Sequence, residues 1–346
     1  MSKKIILSIL PIFLSLLFVF TVFGQDEKQY ASHKKFYKGR AIEFICPASP
    51  GGSTDLVMRL VAPQFKELTG AAGVRMKNKH GSGGFEGYNY VYKAKPDGLT
   101  LGNGVLFPLT MNEFTEMPGC RYESKNFNYL MGIGEILLVA VVASDGPYKS
   151  IDDFKAGKNM RIAGSSISGP NSLGGLSTIA LLDLDAKMVS GLKGQSACIL
   201  SIQQGESSAA LITESVAKPH IKEGKLRPLF ILSNRRGTIL PDVPALTELV
   251  TFTGEKKDHI DLWGGLTNFQ LVLAPPNLSQ ERLDFLRDVV IKMVTPDFLK
   301  KASQIVHSEV QKVASGQEVT ERIKAIAKKR AKINSLFKRL GELHRM

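Results

Sequence analysis

Residues 41–55 read AIEFICPASPGGSTD, and residues 74–90 read VRMKNKHGSGGFEGYNY. Each is a short run of strand formers that enters a glycine-rich turn and then opens onto a helical pattern. Such turns crowd backbone N–H groups at a helix N-terminus, where the orphan donors and the positive end of the helix dipole favour an anion. Two cradles of this kind within the first hundred residues predict a protein that holds a small anion.

Outward from these turns the chain alternates strand and helix. Strands are expected over 42–46, 74–78, 99–102, 136–143, 161–164, 226–233 and 269–274. Helices are expected over 53–68, 84–94 and 176–182, from 151, and from 279 to the C-terminus. In the first helix Leu56, Val57, Leu60, Val61, Phe65 and Leu68 share one side. Residues 165–170, SSISGP, form a third small-residue turn after a strand. The alternation predicts an α/β fold with mainly parallel sheets. Ligands in such sheets sit at the C-terminal ends of strands, where all three turns fall.

The N-terminus sets the compartment. Met1-Ser2-Lys3-Lys4 precedes an apolar run from Ile5 to Phe23, with small residues at its end, so it reads as a signal peptide over residues 1–24 cut after Gly24. The rival reading is a retained anchor, because the run nearly reaches the roughly 20 residues that span a bilayer. Pro11 and the small residues favour cleavage and a periplasmic protein. The chain has 346 residues with 43% apolar composition, enough for two domains after the leader. Cys46, Cys120 and Cys198 are far apart and form no CxxC pair, so free thiols are expected beside the possibility of one disulfide. The six histidines are scattered singly, and no metal site or cofactor is expected.

The net charge of +13 falls to +11 without Lys3 and Lys4. Residues 317–346 contribute +6 of it, with nine Lys/Arg against Glu318, Glu321 and Glu342. In that stretch Ile323, Ile326, Ile333, Leu336, Leu340 and Leu343 recur at helical spacing, so a long basic amphipathic C-terminal helix is expected. Its bland reading is a helix docked on the body with a solvated basic face; contact with anionic lipid or an acidic partner is the other. No recognition motif supports nucleic acid.

The turns exclude several chemistries. In Gly81-Ser82-Gly83-Gly84-Phe85-Glu86-Gly87 the third glycine comes one place late for a dinucleotide fingerprint, and the strand before it is too polar. No GxxxxGK[ST] occurs, and no GxSxG makes Ser53 or Ser165 a nucleophile. Asp55, in the first turn of its helix, is open to a dipole or capping role.

The run Pro47-Ala48-Ser49-Pro50-Gly51-Gly52-Ser53-Thr54-Asp55 is followed by Asn78-x-x-Gly81-x-Gly83-Gly84 and by Pro96-Asp97-Gly98-Leu99-Thr100-Leu101. Further on come Lys193-Gly194, the stretch PHIKEGKLR at 219–227, LPDVPALTE at 240–248, Trp263-Gly264-Gly265-Leu266 and Ala274-Pro275-Pro276. This ordered set resembles the extracytoplasmic solute-binding proteins of tripartite tricarboxylate transporters, the Bug (TctC-like) proteins, across essentially the whole mature chain.

The resemblance implies a two-lobed, hinged periplasmic binding fold of type II kind that closes around a small carboxylate. One lobe is expected over 41–136, a second over 137–268, and a return to the first with the C-terminal helices over 269–346. The implied carboxylate site uses Ser49, Gly51, Gly52, Ser53, Asp55, Gly81, Ser82, Gly83 and Gly84, largely through backbone amides. From the second lobe it implies Ser165, Gly169, Lys193, Gly194 and Gln195. Where family members tend to carry a histidine, a tyrosine and an aspartate, this chain has Ser172, Leu192 and Ser208, which changes the wall facing the solute's far end. The implied function is capture of an organic carboxylate and delivery to the membrane permease subunits of a tripartite tricarboxylate transporter, by a monomer that breaks no bond. The alternative is a ligand-presenting sensor acting on a signalling partner. An exported hydrolase would need a nucleophile and base within reach, and no motif supplies the pair.

Overall fold

The computed structural model describes residues 31–51, 53–80, 84–165, 170–265, 268–306, 310 and 313–345. The leader lies outside the described residues, as do Gly52, Gly81, Ser82, Gly83 and Gly169 among the expected site residues. After a helix α1 (residues 31–37) come β1 (Ala41–Cys46), α2 (Ser53–Thr69), β2 (Gly73–Asn78), α3 (Phe85–Tyr92), β3 (Thr100–Val105), α4 (Leu106–Phe114) and β4 (Asn128–Ile136). Then follow β5 (Leu138–Ala143), α5 (Ile151–Ala156), β6 (Met160–Ala163), α6 (Pro170–Leu182), β7 (Ala186–Val189), α7 (Gln195–Gln203), β8 (Ala209–Thr213), α8 (Glu214–Lys222) and β9 (Leu226–Ile231). The chain ends with α9 (Leu246–Leu249), α10 (Gly254–Gly265), β10 (Asn268–Ala274), α11 (Gln280–Met293), α12 (Pro296–Val306), β11 (Val313–Ser315), α13 (Gly316–Ala327) and α14 (Arg330–Arg345).

The strands form two sheets, one per lobe. The first has the order β11-β4-β10-β3-β1-β2 and the second β7-β6-β8-β5-β9. Their cores repeat one plan: three parallel strands, then one antiparallel strand, then a fifth. In the first sheet β1 pairs β2 and β3 in parallel while β10 runs antiparallel between β3 and β4. In the second, β6 pairs β7 and β8 in parallel while β5 runs antiparallel between β8 and β9. The expectation of mainly parallel sheets is corrected to mixed ones. The reason is topological: each inserted strand, β5 or β10, arrives directly from the other lobe.

The alternation of strand side chains splits the first lobe into two cores. Ile42 and Phe44 face α2, α11 and α12 in a cluster with Val57, Val61, Phe65, Leu286 and Val289. Ile45 faces the other way, with Tyr88 and Val91 of α3, Leu106 and Leu109 of α4, and Ile323 of α13. Phe44 and Phe65 are fully buried and meet edge to face at 5.2 Å. Each such side chain contributes roughly 1.5–3 kcal/mol by burial, so this face fixes α2, and with it the turn that α2 follows.

Three expected elements are redrawn. The single strand over 136–143 is the end of β4 and the whole of β5, which belong to different sheets. Leu137 between them is buried, so no polar residue marks the switch. The run of helices after 279 is interrupted by β11, which pairs with β4. The long C-terminal helix is two, broken at Lys328 and Lys329. Val319 and Ile323 of α13 enter the first-lobe core. Ile333 and Leu336 of α14 join a cluster built largely from α6, α10 and the second sheet. Ile326, near the end of α13, already reaches this second cluster, and α14 continues along it after the break. Arg330, at the start of α14, reaches back to α4, donating to the Glu113 carbonyl at 3.3 Å and pairing with its carboxylate at 3.5 Å.

The two crossings between lobes are neighbours. Ile136 pairs with Asn268 in the β4–β10 ladder, and the Leu137 carbonyl accepts the Glu214 amide at 3.1 Å. Among the described residues no helix is long and apolar enough to cross a membrane.

Candidate ligand-binding site

The first turn is built around a buried carboxylate. Asp55, fully buried one turn into α2, accepts the Gly51 amide at 2.9 Å and Arg59 Nε at 2.8 Å on one oxygen. Its other oxygen accepts Asn78 Nδ2 at 2.9 Å. The same Nδ2 lies 2.9 Å from the Ala48 carbonyl, so the end of β2 is tied to both ends of the turn after β1. Burial pushes the Asp55 carboxyl up, but the hydrogen bonds from Arg59, Asn78 and Gly51 outweigh it and hold its pKa below the ordinary carboxylate value. Gly51 has φ of 82°, a backbone state that suits glycine, and its amide is engaged by Asp55. Ser49 and Gly51 are exposed, and Ser53 contributes the first residue of α2.

The residues that flank the second turn approach the first. Gly84 sits at the N-cap of α3 with φ of 90°. A Cβ there would lie 3.0 Å from the Pro47 carbonyl and 3.2 Å from Pro47 Cβ, and one on Gly87 would lie 2.9 Å from the Lys79 carbonyl. The Lys79 amide donates to the Cys46 carbonyl at 2.7 Å. The first turn of α3 therefore packs on Pro47, the first residue of the turn that leads from β1 to α2, and glycine at 84 and 87 permits the approach. Asp55 and Gly51 are bonded within that turn, and Gly84 flanks its start.

Two residues that the sequence reading passed over complete this corner. Asn103 and Gln270 are buried amides on the α2 face of the sheet, since Asn103 is opposite Val272 and Gln270 opposite Val105 in the β3–β10 ladder. Asn103 Nδ2 donates to the Thr54 carbonyl at 2.6 Å, fixing the first turn of α2. Asn103 Oδ1 and Gln270 Oε1 have no hydrogen-bond partner among the described residues. The expected strand ends at 102; the structure carries β3 on through Asn103 and Gly104, a pair that by itself favours a turn.

In the second lobe the corresponding turns are laced mainly by backbone. The Gly164 amide donates to Val189 at 2.8 Å, and the Gly191 amide to Ser165 at 2.7 Å, binding the ends of β6 and β7 together. Gly194 caps α7 with φ of 85°, and Gln195 Oε1 accepts both the amide (2.8 Å) and the hydroxyl (3.1 Å) of Thr213 at the end of β8. Lys193 is exposed. Ser165, Gly194 and Gln195 thus gather at the C-terminal ends of β6, β7 and β8. Ser172 is fully buried in α6 and its hydroxyl has no partner among the described residues. Ser208 lies level with Arg161 near the start of β6, exchanging hydrogen bonds with its backbone at 2.7 and 3.2 Å. It stands at the other end of the parallel strands from Thr213.

With this geometry in view, the comparisons converge. Residues 57–340 match the family model described as tripartite tricarboxylate transporter family receptor. Protein BugT of Bordetella pertussis is 30% identical over 220 residues, covering 62% of this chain and 67% of that protein. A ligand-free TctC solute-binding protein from Polaromonas superposes with a TM-score of 0.73 at 19% identity, covering 86% of this chain and 99% of that one. MatC of Rhodopseudomonas palustris, solved with bound malate, superposes with a TM-score of 0.61 at 19% identity, over 84% of this chain and 97% of that one.

Proposed function

The chain belongs to the tripartite tricarboxylate transporter receptor family, and from that premise we propose that this solute-binding protein captures a small organic carboxylate between its lobes, outside the cytoplasm, and hands it to the permease subunits of such a transporter. The observation that carries the reading is the packing of the α3 N-terminus, through Gly84 and Gly87, on Pro47 at the start of the turn that opens α2. Peptide amides fixed at helix ends bind an anion without a competing counter-charge and with little ordering cost. In this reading Asp55 holds the first turn in shape and does not itself meet the solute, since a second carboxylate would repel it. Ser49, Gly52, Ser53, Gly81, Ser82, Gly83 and Gly84 then supply the carboxylate cradle, and Ser165, Gly169, Lys193, Gly194 and Gln195 the opposite wall. The malate bound by MatC supports a carboxylate of similar size as the class to try first. Export through cleavage after Gly24 belongs to the same proposal.

The test is thermal unfolding of the chain from Gln25 onward against mono-, di- and tricarboxylates, amino acids and aromatic acids. A ligand at about 100 times its dissociation constant adds roughly 2.7 kcal/mol, a shift of several degrees for a protein of this size. A carboxylate hit that Gly84→Val abolishes supports the cradle. The absence of any carboxylate hit, or a hit indifferent to Gly84→Val, overturns it.

A further inference from the structure

A groove of about 400 Å³, lined by none of the candidate site residues described above, lies between α10 and α14. That volume falls within the roughly 300–1,000 Å³ of small-molecule sites. Leu262 from α10 and Ile333 and Leu336 from α14 give it an apolar lining. Two ion pairs join the helices: Lys332 with Asp258 at 2.7 Å and Arg339 with Glu255 at 2.9 Å. They engage both carboxylates of the lining. Lys329, on the same rim, has no carboxylate within ion-pair distance among the described residues, so the uncompensated charge of the groove is positive. His259 also lines it. This side chain is 6% exposed and its Nε2 has no hydrogen-bond partner among the described residues. Burial first, and the Arg339 charge second, lower its pKa to about 4. The ring is therefore neutral at pH 7, offering one donor and one acceptor.

We propose that this groove is a second ligand site, for a small organic acid with an apolar body: the body lies on Leu262, Ile333 and Leu336, and the acid group meets Lys329 and the unpartnered His259 nitrogen. The inference does not depend on what the interlobe cleft binds. The site sits on the helix that packs against both α4 and α6, so an occupant braces the strap that joins the lobes.

Trp263, the chain's one tryptophan, follows Leu262 in α10 and is buried against Phe107 at 5.8 Å, which makes its fluorescence a built-in reporter. The experiment titrates the full chain with octanoate, using octanol and octylamine as neutral and cationic matches. Octanoate is expected to change Trp263 emission along one saturable curve, with octylamine at least tenfold weaker. Ser335→Phe fills the groove from an exposed rim position and is expected to weaken octanoate at least tenfold. Lys329→Glu should weaken octanoate similarly while leaving octanol unchanged. Both variants should keep the wild-type response to any carboxylate found for the cleft. An octanoate curve that ignores Ser335→Phe places the ligand elsewhere and overturns the site. Equal binding of octanoate and octylamine overturns the acid specificity. Cosedimentation with phosphatidylglycerol vesicles in place of saturable octanoate binding makes this face a membrane contact and likewise overturns it.

Discussion

The turns of the two lobes are held by different means. In the first lobe a buried, ionised Asp55 gathers Gly51, Arg59 and Asn78, and Pro47 is clamped beneath Gly84. In the second lobe the ends of β6 and β7 are laced by amide–carbonyl bonds, with the neutral side chains of Gln195 reaching to Thr213 and of Asn171 to the Leu211 carbonyl. The buried Ser172 hydroxyl has no partner among the described residues. The first corner is pre-organised, which suits a carboxylate common to every solute; the second leaves shape to the backbone and gives a looser specification of the solute's far end.

Mutations can break or sharpen this contrast. The largest effect is expected at Asp55→Ala, which strands the Gly51 amide, Asn78 and the inner end of Arg59. Losing hydrogen bonds to a buried charged group points to a loss of about 3 kcal/mol, read from urea midpoints, together with loss of solute binding. The same carboxylate gives a pH signature. Its folded pKa is lower than its unfolded value, so its stabilisation is fully present above about pH 4. It is lost as pH falls through the depressed folded value. Asp55→Asn should remove that acid-linked part of the stability curve; an unchanged acid limb would sink the clamp.

Next comes Gly84→Val, which combines a strained φ with a contact on Pro47 and should cost on the order of 2 kcal/mol, with at least tenfold weaker carboxylate binding. Gln195→Ala should cost only about 1 kcal/mol, visible as faster amide exchange at Thr213. At the small end, Ser172→Ala removes a hydroxyl with no partner and should change stability by no more than about 0.5 kcal/mol. A larger loss from Ser172→Ala than from Gln195→Ala would mean that the second wall has its own polar scaffold, and the contrast would fail.

The α/β class and the strand–turn–helix setting of Gly51 and Gly84 were legible because they depend on local chemistry: strand formers, a positive-φ glycine, an apolar stripe. The 53–68 helix came within a residue of α2 for that reason. What escaped was set by distant partners. Nothing in the apolar run 136–143 separates the sheet that buries Ile133 from the one that buries Val139. Val313 to Ser315 becomes a strand only because β4 offers an edge. Asn103-Gly104 has turn chemistry, and neighbouring strands override it. In the site, Asp55 was visible as a first-turn carboxylate, but its Asn78 partner comes from the next strand and could not be paired by spacing.

The side-by-side crossings at Ile136 and Asn268 have a mechanical consequence. Two adjacent pins leave one panel free to swing on another about a single axis. The α13–α14 unit adds a strut off that axis, anchored in one core through Ile323 and in the other through Ile333. Ile326, still on α13, is seated in that second core as well. A swing must then unseat Ile326 and Ile333 together or carry α13 with it, so the grip of these two side chains limits how far the jaws part.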